Sequence, residues 1–296
     1  MAIDDKQQRD YLTLLALFEG GSSYWYEQYK ESGATELVAA ITDGKFASYK
    51  RIGARLQESA RALDLDSKIL EMQACGAFLI TRADDDWPAG LDDLEAPPIA
   101  LLGRGRREHL LTLRQSLSIV GTRNPTQYGV RVAGDFAAGA VDREWSVVSG
   151  GAFGIDTAAH QGALLAEGPT IAILASGVGA PFPAGNARMF AEIASEGLLL
   201  SEVLPMVHAI PARFLIRNRL IAAISRATVV VEAAFRSGSL RTARDAAGIF
   251  RPVMAVPGPI TSPTSDGCHR LIAERSAELV TSIADLMELV GPLVQL

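Results

Sequence analysis

Four short segments hold the residues whose types and spacing can do chemistry. Gly121-Thr122-Arg123, Ser149-Gly150-Gly151-Ala152-Phe153-Gly154 and Ser237-Gly238-Ser239 each set small residues between an apolar run and a helix-forming one. Glycine lets an anion approach the backbone closely, and unpaired N–H groups at a helix start attract negative charge. Gly150 therefore joins Arg123 and the Ser237–Ser239 loop as a candidate phosphate contact. Ser239 also suits a helix N-cap, the alternative reading of that loop, but three such loops on one sheet edge favour an anion site over turn chemistry alone. The fourth segment, Phe214-Leu215-Ile216-Arg217-Asn218-Arg219-Leu220-Ile221, puts Phe214, Arg217 and Asn218 on one helical face at i, i+3 and i+4. A ring beside arginines suits a single-stranded nucleic acid, because a base stacks on the ring while charge neutralises the backbone. The alternative buries Phe214 in the core and gives Arg219 an acid such as Glu232.

Other chemistries find little support. No GxxxxGK[ST] run is present, and glycines 150, 151 and 154 miss the GxGxxG spacing, which disfavours ATPase and dinucleotide sites. Ser149 lacks the GxSxG context of a nucleophile elbow. Asp156 and His160 stand at i and i+4, where they pair or, more simply, each serve packing. Asp84-Asp85-Asp86 and Asp92-Asp93 read as solvated turns. His109, His160, His208 and His269 are scattered, and Cys75 and Cys268 have no partner spacing, so the sequence offers no metal site or disulfide. The reading is of a protein that acts by binding, with no catalytic residues and no cofactor.

The elements that must position these residues follow from 296 residues, enough for one large α/β unit and a small one. The net charge of −6 argues against a wholly basic coat. Residues 204–251, however, carry eight arginines against two acids, a local balance of +6. That stretch is either a phosphate-binding patch or a solvated face with structural ion pairs. Residues 1–75 read as short helices joined by glycine turns, and residues 76–296 as a second domain. From Ser116 onward, β-branched strands, glycine loops and helices alternate, which specifies a mainly parallel sheet covered on both faces. The fold class is thus α/β, an extended Rossmann-like sheet with a small N-terminal all-α domain. Ligands in such sheets sit beyond the carboxyl ends of the strands, where the three loops fall. No run approaches the ~18 apolar residues of a membrane span, and MAIDDKQQRDY leads into no signal core, so a cytoplasmic location is expected.

Taken as a set, the motifs from Trp87 to Leu271 resemble the bacterial DNA-processing protein A family (DprA, also called Smf). They include Trp87-Pro88, Pro97-Pro98, Val120-Gly121-Thr122-Arg123 with Tyr128-Gly129, and Gly154-Ile155-Asp156 with Ala159-His160. Pro183 with Asn186, Ser201-Glu202, the Phe214 helix, Val231-Glu232-Ala233, Ser237-Gly238-Ser239-Leu240 and Ala255-Val256-Pro257-Gly258 follow in order. The resemblance implies a single-stranded DNA-binding protein without catalysis. Such a protein protects incoming DNA during natural transformation and helps load the RecA recombinase. It also implies a homodimer and a sterile-alpha-motif-like N-terminal module. It assigns Arg123, Phe214, Arg217, Asn218, Arg219, Ser237, Gly238 and Ser239 to the DNA groove. Phe153 stands where the family has an arginine and His269 where asparagine is common. About twenty-five residues follow Leu271, too few for the winged-helix domain of many members, so none is expected. The competing enzyme reading is a nucleotide or phosphoribosyl hydrolase of the related LOG type. It needs Pro-Gly-Gly-x-Gly-Thr and a nearby glutamate, and this chain has Ser-Gly-Ser-Leu and Arg241 instead.

Overall fold

The structure, a computed structural model, describes residues 5–49 and 52–291. Four helices come first: α1 (Asp5–Leu17), α2 (Ser23–Thr42), α3 (Gly53–Ala62) and α4 (Leu65–Ala74). Then β1 (Phe78–Thr81) and β2 (Ala100–Gly105) lead into β3 (Ser116–Val120), α5 (Gln127–Val141), β4 (Ser146–Ser149) and α6 (Ile155–Leu165). They are followed by β5 (Thr170–Leu174), α7 (Ala187–Glu196), β6 (Leu198–Ser201), α8 (Pro211–Ile224) and β7 (Ala227–Val230). The remaining elements are α9 (Ser239–Gly248), β8 (Val253–Ala255), α10 (Asp266–Ala273), β9 (Glu278–Leu279) and α11 (Ile283–Val290).

The strands form one sheet in the order β1-β2-β6-β5-β4-β3-β7-β8-β9. Only the β1–β2 and β2–β6 pairings are antiparallel, so the mainly parallel α/β architecture read from the sequence holds. Alternation along each strand feeds two faces. Leu117, Ile119, Val147, Val229 and Val231 pack with α5, α6 and α11. Their neighbours Val120, Val148 and Val230 turn the other way, toward α8 and α9. From β3 the chain runs outward through β4, β5 and β6, then α8 carries it back to place β7 on the other side of β3. The loops after β3 and β7 therefore leave toward opposite faces, and a crevice opens between them.

The N-terminal helices are seated on this sheet. Leu12, Leu15 and Met72 join Ala100, Leu102, Ala172, Leu174 and Phe190 in one cluster. A second cluster gathers Leu14, Trp25, Leu37, Ile41 and Leu56 around Ile99, with the Phe18 and Trp25 rings stacked at 4.8 Å. Between α1 and α2 the chain turns at Gly20 and Gly21, both at positive φ, and that turn lands on α8. A Cβ on Gly20 would lie 2.4 Å from the Glu202 carboxylate, so glycine is required there both for conformation and for space.

Several sequence expectations change. Asp84 and Asp86 are not free turn residues but pair with Arg107; Asp92 pairs with Arg82 and Asp93 with Arg251. Helix α8 starts three residues before Phe214, because Pro211 occupies its first turn, where a missing N–H costs nothing. No helix among the described residues is long and apolar enough to cross a membrane.

Candidate nucleic-acid interface

The crevice between the β3 and β7 loops is a cavity of about 630 Å³, with α8 as its wall. It gathers Arg123, Phe214, Arg217, Asn218, Ser237, Gly238 and Ser239. Arg123 is exposed, and its guanidinium stacks over the Phe214 ring at 5.0 Å. Arg217 approaches the same ring at 5.9 Å. Phe214 is thus on the cleft wall rather than in the core. Cation–ring geometry of this kind holds a planar guanidinium where a base can stack on it.

Arg217 is only 6% exposed. It donates to the Gly150 carbonyl at 2.8 Å and to the Ile173 carbonyl. Burial pulls its pKa down to about 10, against the opposing pull of Asp156, so it stays charged at neutral pH. Asp156, also buried, accepts from the amides of Gly150 and Ala152 at 3.2 and 3.3 Å. Burial raises its pKa, and Arg217 opposes the rise. The 149–154 loop was expected to offer amides to a phosphate. Instead Asp156 takes two of them, and Gly150 lies behind Arg217 outside the cavity lining. Glycine is still needed at 150, since a Cβ there would sit 2.1 Å from the Arg217 guanidinium.

The Ser237–Ser239 loop is more open. Ser239 does not cap α9: Gly238 holds the cap position with no side-chain bond, and Ser239 begins the helix. The Ser237 and Ser239 hydroxyls bond each other at 2.7 Å. Asn218 donates to the Gly238 carbonyl at 3.3 Å, which ties α8 to the loop. The Gly238 amide makes no hydrogen bond to a described residue, and nothing stands within 4 Å of where a Cβ would be. An anion at this helix start therefore meets no obstacle.

Arg219 is not in the cleft. It faces the opposite side of α8 and bonds both oxygens of Glu202 at 2.7 and 2.6 Å. Glu232, the acid considered for it, accepts instead from the Thr126 amide and hydroxyl and from Thr264. It thereby fastens the start of α5 beside the β3 loop. Arg213 pairs with Glu19, Arg241 with Asp245 and Arg251 with Asp93, so half of the arginine-rich stretch is neutralised. Arg236, which motif reading passed over, is exposed, lines the cleft and forms no ion pair among the described residues. Its signal in the sequence was its place one residue before Ser237-Gly238-Ser239. The cleft thus offers Arg123, Arg217 and Arg236, with Asp156 as the one acid among the described residues that line it.

Asp156 and His160 do not pair. Thr170 donates to the Val147 carbonyl at 3.2 Å, so the His160 Nδ1–H must donate to the Thr170 oxygen at 2.7 Å. Nε2 is left buried without a partner. Burial pushes the His160 pKa down to about 3. The unfolded chain then holds a proton that the folded one lacks between pH 3 and about 6.5, so stability falls as pH drops through that window. The slope is about 1.4 kcal/mol per pH unit. Urea midpoints measured from pH 7 to 5 should show this loss in the native chain and a flatter profile in His160→Gln. Equal slopes would contradict it. Among the described residues, no three or more His, Cys, Asp or Glu side chains gather as a metal site.

The chain is a doubly wound α/β protein with a cationic, ring-lined crevice at its strand-order reversal, the place where sheets of this kind take their ligands. Residues 78–291 match the model of the DNA recombination-mediator protein A family, and the chain belongs to that family. It is 45% identical over 257 residues to a putative DNA processing protein DprA from Mycobacterium tuberculosis, covering 82% of this chain. The match spans 64% of that relative's length. It is 38% identical over 217 residues to DNA processing protein DprA of Streptococcus pneumoniae, covering 73% of this chain and 75% of the relative. The solved structure of DNA processing protein A from S. pneumoniae superposes with a TM-score of 0.81 at 33% identity, over 97% of this chain and 98% of that one. A Helicobacter pylori DNA processing protein A structure, described for its single-stranded DNA binding mode, superposes at 0.65 with 28% identity, over 72% and 95%.

Proposed function

We propose that this chain binds single-stranded DNA in the β3–β7 crevice and acts there without catalysis. The observation that carries the reading is the Arg123 guanidinium stacked on Phe214 beside Arg217, Arg236 and the open Gly238 amide. A duplex keeps its bases inside, whereas a single strand presents both a charged backbone and π-faces, which this wall matches. Arg123, Phe214, Arg217, Asn218, Ser237, Gly238 and Ser239 are the proposed contacts. Gly150 supports Arg217, and Arg219 supports the N-terminal seat. Family membership extends the reading to protection of incoming DNA, to loading of RecA in transformation and recombination, and to a cytoplasmic homodimer.

The test is binding of a labelled ~30-nucleotide single strand and its duplex across a salt series. Tighter binding of the single strand, falling steeply with salt, is the expected result. Equal affinity for both forms, or no binding at low salt, would overturn the reading.

A further inference from the structure

Phe214 is not alone at the mouth of the cleft. Phe182 meets it edge to face, with centroids 6.0 Å apart and planes at 71°. Phe182 is 49% exposed and Phe153 is 48% exposed. Isolated exposed rings need no explanation, but rings contiguous with a charged cleft do. A T-shaped contact sets the edge of one ring on a face of the other, so each ring keeps at least one face that the contact does not cover.

Phe153 is set beside the loop that carries Phe182. A Cβ on Gly185 would lie 2.8 Å from the Phe153 Cζ, so the ring lies against the loop that carries Phe182. Asn186 locks the two loops together, donating to the Gly151 carbonyl at 3.0 Å and to the Thr157 hydroxyl at 2.9 Å. At the other end, Arg123 sits beside this loop, because a Cβ on Gly154 would lie 2.8 Å from its carbonyl carbon. The rings are therefore carried on fixed loops, which lowers the ordering cost of any ligand laid on them.

We propose that Phe182 and Phe153 form an aromatic platform on which bases of a single strand stack as the strand leaves the Phe214 cleft. The proposal rests on the cleft being the single-strand site. The occupant is unpaired nucleic acid rather than an apolar protein segment because the row is continuous with Arg123 and Phe214. The outer end of the groove then takes its affinity from rings instead of charge.

Oligothymidylates of ~4 and ~12 nucleotides distinguish the cleft from the platform. Phe153→Leu combined with Phe182→Leu keeps apolar volume and removes the π-faces. The double variant should bind the 4-mer as the native chain does and the 12-mer about five- to tenfold more weakly, with the salt slope unchanged. A 12-mer carrying 2-aminopurine in its outer half should lose its fluorescence quenching in the same variant. Native-like binding of the 12-mer by the double variant would overturn the platform and leave the cleft standing. Equal losses on both lengths would also overturn it, because the rings would then act within the cleft. Failure of the native chain to bind either oligonucleotide would instead sink the cleft reading, and the platform with it.

Discussion

Replacing Arg219 by alanine is expected to lower the unfolding free energy by about 3–5 kcal/mol while leaving single-strand affinity nearly unchanged. The side chains of Arg219 and Glu202 are 12% and 9% exposed, and burial raises the Glu202 pKa while Arg219 opposes the rise. Removing the arginine leaves a buried carboxylate with no counter-charge. The Gly20–Gly21 turn covers the Glu202 site, and two atoms of the guanidinium, Nε and one terminal nitrogen, are buried there without partners among the described residues. A pair so poorly satisfied is replaceable as a unit, so Arg219→Met with Glu202→Leu should recover most of the loss. Thermal melts would show a drop on the order of 10 °C for the single variant. A stable Arg219→Ala chain that has lost DNA affinity would return Arg219 to the groove.

Arg219 also marks where sequence reasoning stops. The period-two strands and glycine loops from Ser116 onward spelled out the sheet and the edge on which a ligand sits, because both are local patterns. The fate of an arginine is not local. Arg213 finds Glu19 and Arg251 finds Asp93, 194 and 158 residues away, and no spacing rule reaches that far. Within the Phe214 helix the i, i+3, i+4 rule placed Phe214, Arg217 and Asn218 together correctly. It could not show that one terminal nitrogen of Arg217 is taken by the Gly150 and Ile173 carbonyls. The 149–154 loop misled for a different reason. Its glycines promised free amides, and Asp156 in the first turn of α6 folds back to take two of them. Arg236 escapes motif reading because it belongs to no motif, although no described residue forms an ion pair with it.

The second large effect separates stacking from charge. Phe214 is half-buried, with Arg123 over its ring and Phe182 in T-shaped contact with it. Phe214→Ala removes the ring on which both the guanidinium and a base rest, and should weaken single-strand binding by about 1–3 kcal/mol. No charge is lost, so the salt dependence should keep its slope. Arg123→Ala removes an exposed cation that no described carboxylate pairs, and should cut the slope by roughly 0.7. Arg217 is unsuited to this comparison, since its removal also strips two buried carbonyls of their donor and takes away the positive charge that opposes the pKa rise of Asp156.

One set of measurements tests the crevice itself: affinity for a single strand against salt for the native chain, Phe214→Ala and Arg123→Ala. The crevice predicts a Phe214→Ala line parallel to the native one but displaced to weaker binding, and a shallower Arg123→Ala line. Two variant lines superimposed on the native line would place the DNA elsewhere on the molecule and contradict the account.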